Sequence, residues 1–266
     1  MATVPAMQEV ALIASGLIIG AIIGLTGVGG GSLMTPLLIM GFGVTPATAV
    51  GTDLLFAAIT KFGGTLKLAL SRQVAWRAVA ALCAGAIPAT LLTTVSIQWL
   101  GPSSPETESL NRHVLGGALF FTAIASLYNV TVSRHASAAA LQTDHATPRH
   151  WALPTLFGAF IGVIVTLTSV GAGAIGVAVL LLIYPHLAPK RVVAVDLAYA
   201  VPLTTIAGLG HAHLGNVDWH LLALLISGSL PGIWLGSRLL GRLNPLVTRG
   251  VLSTLLAAVG IKLMAW

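Results

Sequence analysis

Charge is what this sequence has least of. Only 8% of its 266 residues are Asp, Glu, Lys or Arg, against roughly a quarter in an average soluble domain, and none falls between Val10 and Thr52. A water-facing fold of this length cannot bury so much apolar surface, so a soluble globular protein is excluded. Cysteine is nearly absent. Cys83 stands alone in an apolar stretch, which rules out an internal disulfide and a multi-cysteine metal cluster and reads as a buried small hydrophobe. The 7 acidic residues are too few and scattered for paired-carboxylate catalysis. No Gly-x-Ser-x-Gly elbow, P-loop lysine motif or His-Glu-x-x-His occurs, so neither an enzyme nor a cofactor is expected. The 13 basic residues give a net charge of +6, but they gather at helix ends rather than in an aromatic-interleaved stripe, which argues against nucleic acid as a partner.

What is there instead is apolar: 56% of residues and a mean hydropathy of +0.95. At about 20 residues per span, the length allows roughly eight to ten membrane segments and no appended soluble domain. The first residues lack Lys and Arg and lead into an apolar run too long for a signal-peptide core, so a retained first helix is expected. The fold class is therefore an all-α polytopic membrane protein with the lipid bilayer as its surroundings. Trp76, Trp99, Trp151, Trp219 and Trp266 fall near predicted helix ends, where amphipathic rings settle at the headgroup level.

The chain repeats itself. Thr26-Gly27-Val28-Gly29-Gly30-Gly31 returns as Thr168-Ser169-Val170-Gly171-Ala172-Gly173, 142 positions later. Pro46 and Asp53 answer to Pro189 and Asp196, Val74 and Trp76 to Val217 and Trp219, and Gly85 and Pro88 to Gly228 and Pro231, all at a displacement of 143. Each half reads as five apolar elements, at 8–26, 30–41, 46–70, 77–99 and 112–133, then at 151–169, 172–184, 190–211, 219–238 and 246–265. The second of each set is too short to span. The first repeat is placed at 1–140 and the second at 150–266, joined by a polar linker over about 134–149.

Ten basic residues (Lys67, Arg72, Arg77, Arg134, Arg149, Lys190, Arg191, Arg238, Arg242 and Arg249) are assigned to the cytoplasmic side. Glu9, Glu106, Glu108 and Asp218 fall on the other side, with Arg112 and Lys262 as the basic residues there, which also puts both termini outside. With five elements per half, the two repeats are expected to be inverted, as in many secondary transporters.

The glycine runs are the candidate site. Gly27, Gly29, Gly30 and Gly31 should break the helix, since glycine costs about 1 kcal/mol per helical position, and Gly171 and Gly173 repeat the break. Broken backbone survives at membrane depth only where protein covers it or it lines a polar cavity. The short helix after each break aims free N–H groups and a positive dipole end at it, which suits an anion. Hydroxyls of Thr26, Ser32, Thr168 and Ser169 add donors without charge. These residues form the predicted substrate site, with close helix packing at the glycines as the bland alternative.

Asp53 and Asp196 occupy matching places early in a long apolar helix, and an intramembrane carboxylate is costly and usually functional. Each either carries a proton for coupling or ties a break and the two halves together. Lys61 lies two turns beyond Asp53 and about 80° round the helix. It attracts an anion, pairs with a carboxylate or snorkels to the interface. Its matching position, Thr204, argues against a symmetric role. His211, His213 and His220 read as an external loop cluster rather than a metal site.

The stretch Gly24-Leu25-Thr26-Gly27-Val28-Gly29-Gly30-Gly31-Ser32-Leu33-Met34-Thr35-Pro36-Leu37, followed by Pro46-x-x-Ala49-Val50-Gly51-Thr52-Asp53-Leu54, resembles the sulfite exporter TauE/SafE family. The resemblance covers nearly the whole chain, with the second signature weaker than the first. It implies a bacterial inner-membrane permease for small sulfur-containing anions such as sulfite or organosulfonates, with no enzymatic activity. Export is the favoured direction. Proton-coupled uptake by the same fold and a non-transporting membrane assembly subunit are the alternatives, and a homo-oligomer is compatible with either.

Overall fold

The computed structural model describes residues 6–26, 31–100, 113–126, 128, 152–239 and 245–264. These are all-helical, with no strand among the described residues. In chain order the helices are α1 (Ala6–Thr26), α2 (Gly31–Phe42), α3 (Pro46–Leu70), α4 (Trp76–Leu100) and α5 (His113–Ser126). Then come α6 (Ala152–Thr168), α7 (Ala174–Ile183), α8 (Pro189–His213), α9 (Trp219–Leu239) and α10 (Pro245–Met264). The linker over 134–149 and the chain termini lie outside the described residues.

Local chemistry sets the boundaries. Pro46 and Pro189 open α3 and α8, where a missing N–H is harmless and φ is already helical. The C-termini of α3 and α8 close alike. Arg72, at φ 53°, sends its N–H to Ala69 O at 3.0 Å, and Gln73 N–H reaches Leu68 O at 3.0 Å. Gly215, at φ 76°, bonds Ala212 O at 3.1 Å, and Asn216 N–H reaches His211 O at 2.9 Å. Both are Schellman closures, which satisfy the last carbonyls through a left-handed residue.

Helices α4, α8 and α9 hold stretches long and apolar enough to cross a membrane. Helices α2 and α7, with 12 and 10 residues, reach about 18 and 15 Å, half of a hydrocarbon core. Large apolar side chains face outward, among them Leu92, Phe121 and Leu156, as lipid requires. Trp76, Trp99 and Trp219 sit exposed at helix ends, as expected of interfacial anchors, while Trp151 and Trp266 lie outside the described residues.

Helices α3 and α8 cross antiparallel, Gly51 meeting Asn216 and His211 while Gly64 meets Leu197. Helix α4 packs on α8 and α9 on α3; the short helices α2 and α7 pack on α3 and α8 respectively. Two parallel pairs flank them, α1 with α9 and α4 with α6, and in both the backbones touch through glycine. Gly16 and Gly20 lie on the backbones of Leu225 and Ser229, and Gly158 and Gly162 on those of Leu82 and Ala86. In return Gly228 lies on Ile13 and Leu17, and Gly85 on Thr155 and Ala159. The contacts of one pair recur in the other 142 or 143 positions away. Such small-residue faces are how helices associate in lipid, where apolar side chains gain nothing by leaving the tails.

Two apolar cores result. One joins α3, α4, α6, α7 and α8 around Leu82, Ile161, Tyr199 and Leu203. The other joins α1, α2, α3, α5, α9 and α10 around Met34, Leu38, Phe56, Leu119 and Leu225. Cys83 corrects the expectation of full burial: it is half-buried, packed against the first core from the side.

Candidate functional site

The second helix break is well defined. Helix α6 stops at Thr168 and α7 starts at Ala174, and the five residues between them are buried. The turn uses three left-handed residues: Ser169 at φ 58°, Gly171 at 121° and Gly173 at 136°. Glycine takes such angles freely, whereas Ser169 holds its own at a cost of about 1–2 kcal/mol. The Thr168 hydroxyl is spent on the backbone, accepting from Val170 N–H at 3.1 Å and donating to Ile164 O at 2.7 Å. Ser169 Oγ, by contrast, is buried and has no hydrogen-bond partner.

Asp196 closes the break from α8. It is 2% exposed, and its carboxyl faces the backbone N–H of Gly173, at the positive end of α7. Gly176 makes this approach possible, because a Cβ there would collide with Asp196 Oδ1 and lie 2.8 Å from Tyr199 Oη. Gly176→Val is therefore expected to displace the Asp196 carboxyl and lower the thermal midpoint by several degrees. Gly63→Ala, which has open space around it, is expected to leave the midpoint unchanged or raise it.

Asp53 performs the matching task in α3. Fully buried, it accepts a 2.5 Å hydrogen bond from Thr35 Oγ1 of α2, so each carboxylate holds the short helix of its own half. Ser169 Oγ faces the Asp53 carboxyl outside hydrogen-bond geometry. One oxygen of each acid, Asp53 Oδ1 and Asp196 Oδ1, is buried without a partner.

Lys61 joins the halves. Its ammonium, on α3, donates to the carbonyl of Ala172 inside the second break at 3.1 Å. It lies within electrostatic reach of both Asp53 and Asp196. With 4% of its surface exposed, Lys61 does not snorkel. At the equivalent position Thr204 turns its hydroxyl back to Ala200 O at 2.8 Å, so the cation has no symmetric partner.

A transmembrane bundle with a broken helix, two buried acids and a buried lysine is the setting in which comparison with known proteins decides. The family model described as "Sulfite exporter TauE/SafE" matches residues 12–263. The chain belongs to that family. It is 33% identical over 266 residues to the "Probable membrane transporter protein YjnA" of Bacillus subtilis (strain 168), covering 97% of this chain and all of the relative. The "Probable membrane transporter protein YdhB" of the same organism is 22% identical over 247 residues, 93% of this chain and 96% of its own length. No solved structure matches the chain. A TauE/SafE member is a membrane transporter and not an enzyme.

Of the residues singled out in this TauE/SafE sequence, Ser169, Gly171, Gly173, Asp53, Asp196 and Lys61 come together around one break. Thr168 stands beside them with its hydroxyl already engaged. Thr26 ends α1 and Gly31 and Ser32 begin α2, whereas Gly27, Gly29 and Gly30 lie outside the described residues. Sequence reasoning missed Thr35, Tyr199, Gly176 and the Ala172 carbonyl. Tyr199, one turn beyond Asp196 on the same helix face, was within its reach.

The external histidine cluster is corrected. His211 is buried in the last turn of α8 and its Nε2 lies 2.9 Å from Thr166 O. His213 is exposed, and His220 sits 3.5 Å from Glu9 across the α1–α9 pair. The three stand in different surroundings, and no group of metal-ligating side chains occurs among the described residues.

Proposed function

We propose that this protein exports small sulfur-containing anions such as sulfite or organosulfonates across the bacterial inner membrane. The substrate binds between two Gly-rich helix breaks near the midplane, and rocking of the halves alternates its access. The observation that carries the reading is the second break: a buried, left-handed turn at membrane depth, with a free Ser169 hydroxyl, bound by a lysine from the other half. Irregular backbone in a membrane is tolerated where protein covers it or where it lines a cavity, and in transporters built from repeats such breaks frame the substrate site.

Inversion of the repeats is part of the proposal. Antiparallel crossing of α3 and α8, together with parallel pairs α1–α9 and α4–α6, supports it. The same glycine contacts recur at a displacement of 142 or 143. On this arrangement Arg72 and Lys190 share the cytoplasmic end, and Glu9 and Asp218 the outer end with both termini.

Repulsion of the substrate by the acids is reduced, because Asp53 is engaged with Thr35 and Lys61 offsets one of the two carboxylate charges. Among the described residues, the Ser169 hydroxyl is a donor left for an anion. With the inside negative, each elementary charge gains about 2.3 kcal/mol per 100 mV on leaving, so export needs no coupled ion.

The test is efflux from proteoliposomes loaded with sulfite, sulfoacetate, thiosulfate or sulfate under an imposed potential. Protein-dependent, potential-driven release of a sulfur anion is expected, with Gly30→Leu at background. No selective flux of any of the four overturns the substrate assignment. A second reading, proton-coupled uptake, draws on the unpartnered Oδ1 atoms of Asp53 and Asp196; the aspartate variants below separate the two.

A further inference from the structure

We propose that the Lys61 ammonium is a tethered counter-cation. It fills, from within the chain, a monovalent-cation position at the Ala172 carbonyl, within electrostatic reach of the Asp53 and Asp196 carboxyls, so that no dissociable metal cation binds there. The donor set leads to this. Carboxylate, carbonyl and hydroxyl oxygens around an unwound helix are the ligands of hard cations, and unwound backbone carbonyls in transporters coordinate sodium ions.

Here the ammonium takes that place. Ala172 O receives the ammonium at 3.1 Å, both acids lie within its electrostatic reach, and Asp53 Oδ1, Asp196 Oδ1 and Ser169 Oγ remain buried without partners. Two buried carboxylates with no cation would be strongly unfavourable, and Lys61 provides the compensation permanently. Thr204 cannot do the same in the other half, since its hydroxyl bonds its own helix. One tethered charge therefore serves both acids.

Deleting the side chain should turn the position into an ion site. Lys61→Ala removes the charge and opens the volume, whereas Lys61→Met removes the charge and keeps the volume filled. The proposal deepens the transport reading, yet its readout, thermal stability of purified protein in detergent, is independent of flux. Wild type is expected to melt at the same temperature in sodium, potassium and choline chloride of equal ionic strength. Lys61→Ala is expected to melt lower in choline and to regain about 5 °C in about 200 mM NaCl, given a dissociation constant on the order of 10 mM. Lys61→Met is expected to be destabilised without sodium rescue.

Equal midpoints for Lys61→Ala in all three salts overturn the proposal, as does a sodium response of the same size in wild type or Lys61→Met. If Lys61→Ala cannot be recovered folded, the triple variant Lys61→Ala/Asp53→Asn/Asp196→Asn carries the test. Removing both carboxylates with the ammonium is expected to restore recovery, and failure to restore it overturns the charge-balance argument.

Discussion

Gly85→Leu is expected to leave no folded protein that survives detergent extraction, and Gly228→Leu to do the same. A Cβ at Gly85 would overlap the carbonyl oxygen of Thr155 and lie 2.8 Å from the Ala159 nitrogen. At Gly228 it would overlap the carbonyl of Ile13 and lie 2.9 Å from the Leu17 nitrogen. In both cases the obstacle is backbone of a parallel neighbour, which cannot rotate aside as a side chain does. Relief requires the helix axes to separate, which strips the small-residue contacts that hold α4 to α6 and α1 to α9. Overpacking costs about 1–3 kcal/mol where neighbours can shift and more where, as here, backbone blocks relief, a large fraction of the stability of a marginal domain. Fluorescence-detected size exclusion of the extracted variants is the measurement, with Gly117→Ala, which has nothing within 4 Å of its added carbon, as the tolerated control. A well-folded Gly228→Leu beside a lost Gly85→Leu would break the equivalence of the two pairs, and with it an argument for inverted repeats.

The same symmetry explains why the helices were legible and the site only partly so. Runs of apolar residues bounded by Pro46, Pro189 and the turns at Arg72 and Gly215 carry their limits locally, and α3 occupies the residues expected of it, 46–70. The second break was legible too, because Gly171 and Gly173 stand close together inside an apolar run. Lys61 was visible as an intramembrane charge, but its bond to Ala172 spans 111 positions and depends on how α3 meets the second break, which no local pattern encodes. Thr35 looked like one more hydroxyl in an apolar helix until folding laid it on Asp53. His211 was misplaced because an His-x-His pair near a predicted helix end resembles a loop. The Schellman closure at Gly215 keeps α8 helical to His213, which carries His211 inward onto Thr166.

Asp53→Ala is expected to lower potential-driven efflux at least tenfold, whereas Asp53→Asn keeps it within a few-fold of wild type. The Thr35 hydroxyl is a donor, and an amide oxygen accepts it nearly as well as a carboxylate does, so Asn preserves the tie between α3 and α2 while abolishing proton uptake at that position. Alanine preserves neither, and leaves the Thr35 hydroxyl buried without its partner, which costs about 1–3 kcal/mol. Asp196→Asn offers the same contrast, since an amide oxygen can still face the Gly173 N–H. These variants therefore separate two jobs that a carboxylate can hold at once. Flux that depends on potential alone and survives both Asn substitutions assigns the acids to holding the short helices. Collapse of transport in Asp53→Asn or Asp196→Asn, with normal folding and with dependence on an imposed pH gradient in wild type, assigns that acid to carrying a proton and makes uptake the better reading. Lys61 sharpens the contrast: replacing either acid by Asn leaves the ammonium with one carboxylate, a balanced pair, so neither Asn variant should fail for want of charge compensation. A loss of flux in these proteins consequently reports on the proton and not on the fold.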